Sequence, residues 1–124
     1  MESAAELAVH RANTEAFIAA DVKTVVLKRS TRTPNGQGGF TTSAPVSRPP
    51  QSMRIIPTTG NRSAERTTLE GRLVQPDYVL LGVWDCDMVR WDEFDDQGKR
   101  YQIIFVQEKR SYETKGEVLY LGPV

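Results

Sequence analysis

The stretch Tyr78-Val79-Leu80-Leu81-Gly82-Val83-Trp84 is the most apolar run in the chain. Its length suits a strand rather than a helix, and its lack of alternation suits a strand covered on both faces. A second run, Tyr101-Gln102-Ile103-Ile104-Phe105-Val106, reads as a central strand. Working outward, Val22, Thr24 and Val26 alternate with Lys23, Val25 and Leu27, with the β-branched residues that strands favour. Gln51 to Pro57 carries Met53, Ile55 and Ile56 and reads as a short strand. Leu69 to Val74 suggests another, broken by Pro76, and residues 58–68 a second mobile loop. From Tyr112 to Leu121, the residues Tyr112, Thr114, Gly116, Val118 and Tyr120 alternate with mostly polar or charged neighbours, the pattern of a half-exposed final strand. About six strands with no βαβ alternation predict a mainly β fold: a small β-barrel, or a small sandwich, with long loops and an N-terminal α-helix.

The helix is expected over residues 3–20. Ser3 and Glu6 have the spacing of a capping box, and seven alanines make the segment a strong helix former. Asn13 could restart it as a second N-cap. Ala5, Ala8, Ala12, Ala16 and Ala19 form a smooth stripe at helical spacing. Between the first strand and Gln51 lies Thr33-Pro34-Asn35-Gly36-Gln37-Gly38-Gly39, followed by Pro45, Pro49 and Pro50. Residues 33–50 thus form a mobile loop or an extended hairpin, with almost no bulky apolar group besides Phe40 and Val46. A chain of 124 residues is expected to be one domain, with the helix over 1–20 and the barrel over 21–124.

Composition removes much chemistry. One cysteine, Cys86, excludes an intrachain disulfide or multi-Cys zinc cluster, and the single His10 leaves few routes to histidine catalysis. No apolar run reaches the ~18 residues of a membrane span. Residues 1–6 lack the layout of a signal peptide. Asp85, Asp87, Asp92, Glu93, Asp95 and Asp96 form an acidic cluster, but their spacing does not match a calcium loop. Asp95-Asp96-Gln97-Gly98 reads instead as a hairpin turn. The glycines at 36–39 lack the Gly-Lys-Ser/Thr of a phosphate loop. The expectation is no cofactor, no metal and no enzymatic reaction.

The balanced total of 16 basic and 16 acidic residues hides a segregation. Residues 22–72 hold nine basic and two acidic residues, whereas residues 77–96 hold one basic and seven acidic. The two segments either neutralise each other within one fold or meet between copies of the chain. Arg29, Arg32, Arg48, Arg54, Arg62, Arg66 and Arg72 suit phosphates rather than base edges.

The order Arg11-Ala12-Asn13-Thr14-Glu15-Ala16-Phe17-Ile18-Ala19-Ala20-Asp21, a Val-rich strand, then a Pro-Asn-Gly-Gln-Gly-Gly loop resembles head-to-tail stopper proteins of long-tailed bacteriophages. Pro49-Pro50-Gln51-Ser52-Met53-Arg54-Ile55-Ile56-Pro57, the strand from Tyr78, Trp91-Asp92-Glu93-Phe94 and Gly98-Lys99-Arg100-Tyr101-Gln102-Ile103 extend the resemblance over nearly the whole chain. One departure is Trp91, where such connectors often carry glycine. The resemblance implies a small β-barrel that assembles into a closed ring in the virion neck, at the head-tail junction, after assembly in the bacterial cytoplasm. The ring would sit between a portal or adaptor ring and the tail terminator or tail tube, retain packaged double-stranded DNA and dock the tail. On that reading Arg29, Arg32, Asn35, Gly36, Gly38, Gly39, Phe40, Arg48 and Arg54 are candidates for partner or DNA-channel contacts. Leu7, Ala8, Ala12, Ala16 and Phe17 are candidates for docking the helix on a neighbour. The acidic turn and the basic face, Arg54 included, would then meet between subunits. No membrane is involved. The alternatives are a tail terminator or adaptor of the same neck, or a free oligonucleotide-binding barrel.

Overall fold

The computed structural model describes residues 3–58, 66–68, 71–107 and 110–124. Helix α1 spans Ala4–Ala19 and is followed by β1 (Lys23–Val25), β2 (Lys28–Arg29), β3 (Arg32–Pro34), β4 (Phe40–Thr42), β5 (Val46–Ser47) and β6 (Gln51–Pro57). Then come β7 (Arg66–Thr67), β8 (Leu73–Val74), β9 (Tyr78–Gly82), β10 (Glu93–Asp96), β11 (Lys99–Val106) and β12 (Thr114–Pro123). Among the described residues, strands take 46% and helix 14%. The fold is mainly β, as expected, with eight strands in one strongly curled half-barrel sheet.

The curl follows from connectivity. The antiparallel sheet runs β1-β6-β9-β12-β11-β10-β2-β5. β1 and β2 are thus six places apart, ~29 Å in a flat sheet at the usual strand spacing. Only Val26 and Leu27 separate them in the chain, and three Cα steps reach ~11 Å at most. The sheet must roll until its ends meet. The return crossing is similar: β5 lies at the far end and reaches β6 through residues 48–50. The two crossings touch, with the Arg48 N–H donating to the Leu27 carbonyl at 2.7 Å.

The period-2 pattern survives this bend. Val25 and Leu27 point inward and are 2% and 0% exposed, while Thr24, Val26 and Lys28 face out. Met53, Leu80, Val118, Ile103 and Phe94 bring one apolar group each from β6, β9, β12, β11 and β10 to the same core. The irregular link between β9 and β10 completes it. Cys86 packs where a Cβ on Gly82 would stand 2.5 Å from its Sγ, and Met88 where a Cβ on Gly116 would stand 2.6 Å from its Sδ. Two glycines in adjacent strands thus make room for two sulfur side chains lying on the sheet.

Several expectations change. β12 is a central strand, not a half-exposed one, with Gly116, Glu117 and Val118 buried. The segment around residues 66–74 forms a two-stranded ribbon, β7 with β8; residues 59–65 and 69–70 lie outside the described residues. The helix is continuous through Asn13. Ser3 caps it by accepting the Glu6 N–H at 3.1 Å. The hairpin turn at Asp95–Gly98 is as read: Gln97 and Gly98 have φ of 50° and 75°, as a type I′ connection of β10 to β11 requires.

Two substitutions test this packing by urea or thermal denaturation. Gly116→Ala drives a methyl into Met88 and is expected to destabilise by about 1–3 kcal/mol. Leu27→Ala at the seam is expected to cost about 2–5 kcal/mol. Wild-type stability in both variants would contradict the packing.

Candidate functional site

Where β2 joins the sheet, Lys28 pairs with Glu93 of β10, which sets Arg29 beside Asp92. Arg29 grips this carboxylate with both arms, Nε to Oδ1 at 2.9 Å and Nη2 to Oδ2 at 2.7 Å. Asp92 is 1% exposed and also accepts the Val89 N–H at 3.0 Å. Arg29 Nη2 donates further to Asp87 at 2.9 Å, and Arg48 Nε meets the other Asp87 oxygen at 2.8 Å. Gln51 locks the Asp87 backbone by donating to its carbonyl and accepting its N–H, both at 2.8 Å. The Asp92 hydrogen bonds hold the Arg29 proton more firmly than usual. The Arg48 hydrogen bond, opposed by partial desolvation and aided by Arg29, holds the Asp87 carboxyl below its ordinary value.

From this root an arm projects. β2 pairs with β5, and β3 pairs with β4 in a separate ribbon. The register shifts by one residue between the two pairings, on the side that holds Pro45, which has no N–H for a ladder. The tip is built around Asn35, whose Oδ1 accepts the N–H groups of Gln37 at 2.8 Å and Gly39 at 3.2 Å. Gly36 and Gly38 take φ of 78° and 82° there. Residues 33–50 are therefore the extended hairpin of the two forms expected. Every residue from Ser30 to Gly38 and from Phe40 to Pro50 is exposed. Arg32 lies 4.6 Å from the centre of the Phe40 ring across the ribbon.

The residues singled out from sequence divide accordingly. Asn35, Gly36, Gly38 and Gly39 shape the tip. Arg32 and Phe40 stand exposed on the arm. Arg29 turns toward Asp92, and Arg48, though exposed, is held by Asp87. Arg54 also turns inward: it donates to the Phe17 carbonyl at 2.8 Å and its guanidinium lies 4.1 Å from the Phe17 ring centre, capping the last turn of α1. On the helix, Leu7, Arg11, Thr14 and Ile18 form the face turned to the body, and Ile18 is 3% exposed. Ala8, Ala12 and Ala16 are exposed, and Phe17 is half-covered by Arg54.

The segregated charges meet inside the chain. Besides the root cluster, Lys28 pairs with Asp95 at 3.1 Å, and Arg66 grips the buried Glu117 with two hydrogen bonds while stacking 3.7 Å over Phe105. Arg62 lies outside the described residues. Sequence reasoning placed Asp87 and Asp92 in an acidic cluster without pairing them to Arg29 and Arg48, and it missed Gln51 and Gln102. Its one signal was Trp91, flagged as standing where glycine is common. Trp91 has φ of 79°, a left-handed conformation that costs a non-glycine residue roughly 1–2 kcal/mol. Arg90 lies 4.2 Å from the centre of its ring and donates to the carbonyls of Ile104 and Thr67.

Among the described residues no group of His, Cys, Asp and Glu could hold a metal ion, and no helix is long and apolar enough to cross a membrane. No protein-family model matches the chain, and no curated protein is significantly similar to it.

Removing Asp92 leaves Arg29 with only Asp87. Asp92→Ala should therefore cost about 3 kcal/mol, the low end for breaking a buried pair, because Arg29 stays part-exposed. A depressed carboxyl stabilises the fold above the unfolded value of about 3.9 and loses that contribution as pH falls through the depressed value. Asp87→Asn should abolish that part of the acid-unfolding curve. An unchanged curve would show that the Asp87 contacts contribute nothing.

Proposed function

We propose that this protein is a structural component of a phage neck, a head-to-tail stopper that works as a ring and performs no chemical step. The observation that carries the reading is the arm from Ser30 to Pro50. It holds an ordered hairpin yet buries almost nothing in its own chain. Such a ribbon adds little to the stability of its own barrel, so its retention makes sense if it contacts something else. An ordered arm rooted in a buried ion cluster suits repeated contact around a ring, where weak contacts add up. The exposed Ala8, Ala12 and Ala16 permit close approach of a second element to the helix.

The family resemblance gains support at Trp91. Trp91 is a departure from the glycine that such connectors often carry there, yet the backbone at this position adopts a glycine-type conformation. The partners on this reading are further copies of the chain, an adaptor or portal ring, a tail terminator or tail tube, and the double-stranded DNA in the channel. Because Arg29, Arg48 and Arg54 are engaged within the chain, Arg32 and the arm tip are the better candidates for outward contacts.

The test is to replace residues 33–41 by an Asn-Gly turn, which keeps Arg32 and Thr42 adjacent. The variant should melt within a few degrees of the parent. Particles assembled with it should lose DNA or lack tails in negative-stain images. Normal tailed, infectious particles would sink the proposal, as would absence of the protein from purified particles.

A further inference from the structure

A cavity of about 340 Å³ opens where the arm leaves the barrel, lined in part by Arg32, Thr42, Arg90, Trp91 and Gln102. Gln102 is 8% exposed, and its carboxamide makes no hydrogen bond among the described residues. Among the described residues no buried side-chain polar atom is left unpaired, so this carboxamide is open to the cavity rather than sealed in the core. Arg32 and Arg90 have no carboxylate within ion-pair distance among the described residues, whereas Arg29 in the same wall is neutralised by Asp92 and Asp87. Trp91 adds an indole held in a backbone conformation that only glycine adopts freely.

We propose that this cavity binds a single nucleotide, with its base toward Trp91 and Gln102 and its phosphate toward Arg32 and Arg90. Gln102 and Arg32, which make no side-chain hydrogen bond among the described residues, then find partners together. The edge of adenine offers a donor and an acceptor to one carboxamide, through its amino group and N7. A base ring stacks on an aromatic side chain. Guanidinium forks suit phosphate oxygens. An acidic side chain from a protein partner would pair with Arg32 but leave the Gln102 carbonyl without a donor. The cavity lies at the small end of ligand sites, which fits one nucleotide rather than several. The nucleotide can come from solution or from the unpaired end of a strand.

The test is calorimetric titration of the full chain at low salt with AMP, with CMP and with a single-stranded ten-residue oligo-dA. Saturable AMP binding is expected, stronger than CMP binding. It should weaken about tenfold or more in Gln102→Leu, the scale of losing one bidentate base contact, and in Arg32→Ala. Gln102→Leu should melt close to the parent, because the carboxamide makes no hydrogen bond within the described fold; lost binding then is not lost folding. Oligo-dA binding tighter than AMP assigns the strand end as the source, and equal affinity assigns the free nucleotide. The proposal is overturned if no nucleotide titrates, if both variants bind like the parent, or if a Glu-rich peptide titrates where nucleotides do not. This readout uses the isolated protein, so its failure leaves the assembly reading standing and is distinguishable from failure of the particle assay.

Discussion

Seven residues, Lys23 to Arg29, serve two ends of one sheet, and the rest of the molecule is arranged around that constraint. The chain has only Val26 and Leu27 in which to leave β6 and reach β10. A flat sheet cannot satisfy so short a crossing, so the eight strands roll. Leu27 then lies fully inside, where it meets the strands of both ends. The same crossing brings Arg29 opposite Asp92 and launches the arm. Core, ion cluster and arm are three consequences of one bend.

Arginine is the residue that ties this small barrel together. Arg29, Arg48, Arg54, Arg66 and Arg90 each reach a carboxylate, a carbonyl or an aromatic face belonging to another element. The planar fork with five donors makes this possible, and a lysine could not reproduce the bidentate grips on Asp92 and Glu117. The cost is that charge counted along the sequence overstates the charge presented to partners. Arg32 on the arm, with no carboxylate partner among the described residues, is an example of what remains outward.

Much of the fold was legible. β6 begins and ends where Gln51–Pro57 was read, and β9 and β11 fall within or around the two apolar runs. The capped helix and the Asp95–Gly98 turn followed from local chemistry. Other elements were not legible for physical reasons. β12 looked half-exposed because Gly116 and Glu117 are surface-like residues; they are buried because Met88 lies on one and Arg66 pairs with the other. Two-residue strands such as β2 and β5 are too short to show a period. The candidate site was half legible: the arm was visible in its Pro and Gly content, its root was not.

Periodicity, capping and turn chemistry are properties of near neighbours. They determined, with no tertiary information, that this chain is mainly β, begins with a helix and carries a long solvent-exposed excursion after its first strands. Which arginine meets which acid could only be decided by strand register. Arg29 lies 63 residues from Asp92 and 58 from Asp87, and only the order of strands in the rolled sheet brings them together. The same holds for Gln102 and Trp91, which share a cavity with Arg32 because β10 and β11 lie beside the root of the arm.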